Sequence, residues 1–269
     1  MDRPLIATKE MSVEMFLDLA GRTALVTGGA GGLGYAMADS LAGSGMSVAL
    51  VDMSADVAQS AQRLAAEHGV STTSVSCDVT DRAAVENAFS QVDATLGDVD
   101  VLVNSAGISV MGDSMELHAS VMHKVFDVNV VGTLHCAQAL ASRCRAGKRP
   151  GNVINIASMS SFVVNVPQQQ MPYNVSKAAV SMLTKCLAIE WLPIGVRVNA
   201  IAPGYFASSM TQQYVDKNQA IANEWVSRIP IGRMGQPDEL GGLVTYLASD
   251  DSRYMIGQTL VIDGGYTIV

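Results

Sequence analysis

The 269-residue chain has little charge and few aromatics: 16% of its residues are charged and 5% are Phe, Trp or Tyr. It contains no lysine- or arginine-rich run and its net charge is −8, so nucleic acid and anionic membrane are poor partners for it. No apolar run reaches the length of a membrane span. The first stretch, "MDRPLIATKEMSVEMFLDLAG", lacks the apolar core and following cleavage site of a signal peptide. The four cysteines, Cys77, Cys136, Cys144 and Cys186, form no Cys-x-x-Cys pair and show no metal-like spacing with the four histidines. The expectations are free thiols, no metal site and a cytoplasmic location.

What the chain has is apolar content, 49% of residues, enough for a sizeable core. Short apolar runs recur at 23–27, 47–51, 72–77, 99–104, 152–157, 196–201 and 259–263. Between them lie helical patterns over about 33–41, 54–68, 81–96, 119–146, 173–191, 208–227 and 237–248. Continuous apolar strands separated by helices predict a parallel sheet covered on both faces. The predicted fold is a Rossmann-type, doubly wound α/β domain with seven parallel strands. No linker or repeat divides the chain. Residues 1–15 read as a loosely held extension, and 16–269 as one domain.

The segment "TGGAGGLG" (27–34) falls between the first strand and the first helix. Gly28, Gly31, Gly32 and Gly34 there permit a tight turn, and they let backbone N–H groups approach a pyrophosphate at the helix N-terminus. Asp52 ends the second strand, where a carboxylate can accept from a ribose 2′-hydroxyl and would repel a 2′-phosphate. No arginine or lysine lies in the loop or within 52–58. These observations favour NAD over NADP; a plain turn or cap is the structural alternative for Asp52.

Farther on, "ASMSSFVVNVPQQQMPYNVSK" (157–177) holds three serines within four positions, then Tyr173 and Lys177 one helical turn apart. An ammonium beside a phenol favours the phenolate and suits proton transfer. Asn165 and Gln168, between the serines and Tyr173, are candidate amide contacts for a polyhydroxylated substrate, or simply solvated loop residues.

In their order along the chain, "TGGAGGLG", "CDVT" (77–80), "NSAG" (104–107), "VNVVG" (128–132), "INIAS" (154–158), "YNVSK" (173–177), "RVNAIAPG" (197–204) and "DGG" (263–265) resemble the short-chain dehydrogenase/reductase family. Ser105 stands where that family usually has a second asparagine. The resemblance implies that Tyr173 is the general acid/base and that Lys177 is its partner and a ligand of the nicotinamide ribose. It makes Ser158 the donor to the reacting oxygen and Asn129 the holder of a water that relays protons to Lys177. A buried amide in a kinked helix is the compatible structural reading of Asn129. Leu33 and Met53 join the glycines and Asp52 at the cofactor. Asp78 and Val79 are expected at the adenine, Asn104, Ala106 and Gly107 along the cofactor, and Pro203, Gly204, Phe206 and Ser208 at its nicotinamide end.

Counting back thirteen residues from Tyr173, the family's usual spacing, lands on Ser160, whereas Ser158 follows directly on "VINIA" at the strand end. The strand register favours Ser158 as catalytic and leaves Ser160 with Asn165, Gln168 and Tyr173 at the substrate. The stretches "ASMSS…VNVPQ", "APGYFASSM" and "DGGYT" look most like the polyol and ketose dehydrogenases of the family. The implied activity is NAD-dependent interconversion of a small-molecule secondary alcohol and ketone by a homotetramer. A 3-oxoacyl-carrier-protein reductase and a catalytically silent NAD-sensing or scaffolding protein are the alternatives.

Overall fold

The computed structural model describes residues 19–208, 211 and 219–269. The expected extension over 1–15 lies outside the described residues, as do positions 209–210 and 212–218 of the expected helix over 208–227.

The strands are β1 (Thr23–Thr27), β2 (Ser47–Asp52), β3 (Thr72–Ser76), β4 (Val101–Asn104), β5 (Gly151–Ile156), β6 (Val196–Pro203) and β7 (Thr259–Ile262). They form one seven-stranded sheet in the order β3-β2-β1-β4-β5-β6-β7. All six pairings are parallel. The helices are α1 (Gly32–Gly43), α2 (Val57–His68), α3 (Arg82–Leu96), α4 (Ala119–Phe126), α5 (Thr133–Gly147), α6 (Met171–Trp191), α7 (Gln219–Ser227) and α8 (Gly241–Ala248).

Alternation along the strands builds two cores. Ala24, Val26, Val48, Leu50, Val101 and Val103 face one side, against Leu41 of α1, Leu64 of α2 and Leu247 of α8. Leu25, Ala49, Val51 and Leu102 face the other, against Phe89 of α3, Leu140 of α5 and Leu187 of α6. Because both faces are covered, β1 and β4 are buried throughout and show no polar alternation. The edge strands β3 and β7 are more exposed, which explains the polar "TTSVS" of β3.

The long helical pattern expected over 119–146 is three pieces. Between α4 and α5 the helix widens into a π-helical stretch, Asp127–Gly132, with Asn129 inside it. Such stretches often mark functional positions in helices. Likewise, the pattern from Pro237 begins with a 3₁₀ turn, Pro237–Leu240, before α8.

The strand order reverses between β1 and β4. Connections leaving these two neighbours run to opposite faces, which opens a crevice at the carboxyl ends of the strands.

Candidate active site

That crevice is a cleft of about 930 Å³. Thr27, at the end of β1, joins its two walls: its hydroxyl accepts from the backbone N–H groups of Ser105 and Ala106 at 3.1 and 3.2 Å. Gly28 sits at φ +67°, and a Cβ there would meet the Ala106 nitrogen at 2.9 Å. A Cβ on Gly34 would collide with the Gly28 carbonyl oxygen. The loop is thus packed to the backbone, and only glycine at these positions keeps the helix N-terminus open to an anion. Gly28, Gly31, Gly32, Leu33 and Gly34 all line the cleft.

Asp52 and Met53 line the same end. One Asp52 oxygen accepts from Ala30 N at 3.1 Å in the glycine loop, and the other accepts from Ser54 N at 2.9 Å. These bonds hold the carboxylate beside the loop. Asp78 and Val79 line the next stretch. Asp78 Oδ1 accepts from the Thr80 amide and hydroxyl at 2.9 and 2.8 Å, a local turn that presents the residue to the cleft.

The reacting end gathers around β5 and α6. Lys177 is 5% exposed, and its Nζ donates to the Ile156 carbonyl at 2.7 Å. It lies 5.7 Å from the centre of the Tyr173 ring. Burial penalises its charged form and brings its pKa down to about 8. Ser158 follows β5 and caps a 3₁₀ turn: its Oγ accepts from Ser160 N at 3.1 Å. It also donates to Ser160 Oγ at 3.0 Å, and Ser160 Oγ in turn donates to Asn165 Oδ1. Ser158, Ser160, Asn165, Gln168, Tyr173 and Lys177 all line the cleft. Pro203, Gly204, Phe206 and Ser208, at the end of β6 and just beyond it, line it too.

Two expected residues sit elsewhere. Asn104 is 3% exposed and lies behind the wall that Ala106 and Gly107 form. Its amide nitrogen donates to Asn155 Oδ1 at 3.0 Å and to the Thr133 carbonyl at 3.2 Å, so it ties β4 to β5 and α5. The Asn129 side chain also lies outside the cleft lining. Its Oδ1 accepts from Ile108 N at 2.8 Å, and its Nδ2 donates to the Ile108 carbonyl and to Ser176 Oγ, each at 2.9 Å. Asn129 thereby clamps the loop after Gly107 to α6, one residue before Lys177. A Cβ on Gly107 would lie 3.3 Å from Asn129 Oδ1 and 3.5 Å from Lys177 Nζ, so these groups are neighbours.

Sequence reasoning missed an aromatic side of the cleft made by Tyr205 and Trp225. The "PGY" after β6 was the available signal for Tyr205. Trp225 gave none beyond being one of two tryptophans. The sequence also gave no sign that Asp39, Glu67 and His68 would lie together; they are not among the cleft-lining residues. His68 Nε2 pairs with Asp39 Oδ1 at 2.7 Å there.

The fold and the glycine loop define a dinucleotide-binding protein of the doubly wound α/β class. A family model described as enoyl-(acyl carrier protein) reductase matches residues 28–267. The chain is 36% identical over 262 residues to D-arabinitol 2-dehydrogenase (ribulose-forming) of Candida tropicalis, spanning 92% of this chain and 93% of that one. It is 37% identical over 251 residues to galactitol 2-dehydrogenase (L-tagatose-forming) of Cereibacter sphaeroides, spanning 93% and 96%. Among solved structures, a gluconate 5-dehydrogenase of Burkholderia cenocepacia, in complex with NADP and tartrate, matches with a TM-score of 0.88 and 36% identity, over 94% of this chain and 99% of that one. The chain belongs to the short-chain dehydrogenase/reductase family and is an oxidoreductase that uses a nicotinamide cofactor.

Proposed function

We propose that this protein is an NAD-dependent polyol dehydrogenase that interconverts a secondary alcohol and its ketone with Tyr173, Lys177, Ser158 and Asn129. The observation that carries this reading is the proximity of Tyr173 to a buried Lys177 in a cleft that Ser158 also lines. The similarity to dehydrogenases named for arabinitol and galactitol supports the substrate class.

Bound NAD would accept a hydride and leave a proton for the protein to manage. Gly28, Gly32, Gly34, Asp52 and Asp78 would hold the adenosine half, and Ala106, Gly107, Lys177 and Pro203–Ser208 the nicotinamide half. Tyr173 takes the alcohol proton during oxidation and returns it during reduction. An ordinary tyrosine, with a pKa of about 10, is a weak base near neutrality. The Lys177 ammonium counters this by stabilising the phenolate. Ser158 turns its hydroxyl from Ser160 to the reacting oxygen. Asn129 holds the loop and α6 in register, and through its backbone it supports a water beside Lys177.

The carboxylate of Asp52 supports NAD over NADP, because a 2′-phosphate would face an anion. Two cations are found among the described residues lining the cleft, Lys124 of α4 and Lys177. Neither belongs to the glycine loop nor to the segment after β2. The NADP found with the gluconate 5-dehydrogenase makes this choice a necessary part of any test.

The reading extends to a cytoplasmic homotetramer. Met171, Val175, Met182 and Ile189 leave an apolar strip exposed along one face of α6, and Ile268 and Val269 are exposed at the C-terminus. Such surface suits contacts between copies. All four cysteines are free, and among the described residues no helix is long and apolar enough to cross a membrane. Oxidation of a panel of pentitols, hexitols and simple secondary alcohols, each with NAD and with NADP, tests the activity. Turnover of at least one polyol with NAD supports it; turnover of none, with simple alcohols oxidised, removes the substrate class.

A further inference from the structure

Three segments far apart in sequence close one side of the cleft. Gln168 comes from the β5–α6 connection, Tyr205 follows β6, and Trp225 lies on α7. The Trp225 side chain is 1% exposed, so its indole N–H needs an acceptor inside the protein. It donates to Gln168 Oε1 at 2.8 Å. At the other end of the same amide, Gln168 Nε2 donates to Tyr205 Oη at 2.6 Å. The Tyr205 and Trp225 rings stack with centroids 4.5 Å apart and planes at 13°. The contacts therefore close a ring: amide to phenol, phenol to indole, indole back to amide. Tyr266 braces it edge-on, 5.6 Å from Tyr205.

A glutamine engaged at both ends of its amide is poorly placed to recognise substrate as well. We infer that Gln168 is a positioning residue, which holds Tyr205, backed by the stacked Trp225, as an aromatic wall for the substrate's carbon chain. This assignment builds on the dehydrogenase reading above and replaces the expectation of a direct Gln168 contact. Aromatic faces pack against the C–H surface of a polyol, while its hydroxyls turn toward polar groups such as Ser160 and Gln170, which also line the cleft. Among the hydrogen bonds described, the Gln168 amide alone joins α7 to the 165–170 loop, while Tyr205 Oη has only a longer second bond to that loop, from Asn165 Nδ2 at 3.5 Å.

Two variants separate this role from simple packing. Gln168→Leu keeps comparable bulk but strands the indole N–H and leaves the phenol without its shortest bond to the loop, with the 3.5 Å bond from Asn165 remaining. Gln168→Glu restores both bonds, since a carboxylate accepts from the indole while the phenol turns from acceptor to donor. In a Trp191→Phe background, Trp225 is the sole tryptophan of the chain. Acrylamide quenching of its fluorescence should rise about threefold in Gln168→Leu, as expected for a buried group released from its anchor, and should return toward the background value in Gln168→Glu. In steady-state kinetics, Gln168→Leu should raise KM about tenfold for a hexitol and for 2-octanol, with kcat changed far less, as for loss of uniform binding. The rise for 2-butanol should be markedly smaller, and Gln168→Glu should recover most of the loss. Unchanged quenching, or equal KM changes for 2-octanol and 2-butanol, overturns the inference. Inertness toward every polyol sinks the polyol assignment alone, because the alkanols and the fluorescence still read the wall. Should Gln168→Leu fail to fold, Trp225→Phe keeps the stack without the N–H and must reproduce the dependence on chain length. Discrimination like the wild type's in that variant also overturns the inference.

Discussion

Replacing Lys177 with methionine should make the cofactor-free protein's stability less dependent on pH, and the size of the effect follows from burial. The ammonium is 5% exposed, and desolvation moves its pKa from 10.5 to about 8. A difference of two to three pKa units corresponds to about 3 kcal/mol, at roughly 1.4 kcal/mol per unit. Above pH 10.5 the lysine is neutral in both the folded and unfolded states and contributes nothing. Between pH 8 and 10.5 the unfolded chain binds the proton and the folded protein does not, so stability falls as pH falls through this window. Below pH 8 the folded protein carries the whole penalty. Methionine removes that penalty, and it also removes the bond to the Ile156 carbonyl, a charged hydrogen bond worth about 1.5–3 kcal/mol. The net change at neutral pH is therefore modest, and the informative quantity is the slope. Urea unfolding of both proteins without cofactor, at intervals from pH 7 to 10, gives the stability of Lys177→Met minus that of wild type. This difference should decrease by about 2–3 kcal/mol across the range. A difference constant to within about 0.5 kcal/mol would show that Lys177 is not held as a desolvated ammonium.

The other expectations concern single side chains at the two ends of the cleft. Wild type should favour NAD over NADP at least about tenfold in kcat/KM, or about 1.4 kcal/mol, and Asp52→Ser should weaken NAD use and narrow that ratio; equal use of both cofactors by wild type removes the role given to Asp52. Ser158→Ala should lower kcat about a hundredfold, the scale of a lost transition-state donor, while Ser160→Ala lowers it less than about tenfold. Ser158 keeps its bond from the Ser160 backbone in the second variant, so the opposite ranking would move the role to Ser160.

The scaffold was readable because its signals are local. Val26, Leu50, Val103 and Ile154 sit in short apolar runs that parallel strands covered on both faces require, and Gly28 and Gly34 sit where a side chain would strike backbone. Lys177 lies one turn from Tyr173 on a single helix, so their proximity needs no tertiary knowledge. Strand register placed Ser158 just beyond β5, where it caps the turn that follows. The bridge that Asn104 makes was not legible, because the destination of its amide, Asn155, lies on a neighbouring strand fifty-one residues away. The ring that Gln168 makes was hidden for the same reason, since its partners Tyr205 and Trp225 are 37 and 57 residues away. A kink at Asn129 could be anticipated, but not its form. The π-helical stretch depends on how α4 and α5 meet the rest of the domain, and helical periodicity does not encode that.

Tyr173→Phe tests the central claim most directly. The substitution keeps the ring and deletes the hydroxyl that exchanges the substrate proton. Measured on whichever alcohol the wild type oxidises best, kcat should fall to below about one per cent of wild type, a loss of at least the lower end of a general acid–base contribution. NADH affinity of the same preparation, read by fluorescence titration, should stay within about threefold, since the ribose partner Lys177 and the glycine loop are untouched. A variant that binds NADH and still turns over at more than a few per cent of the wild-type rate would place the acid/base on another residue.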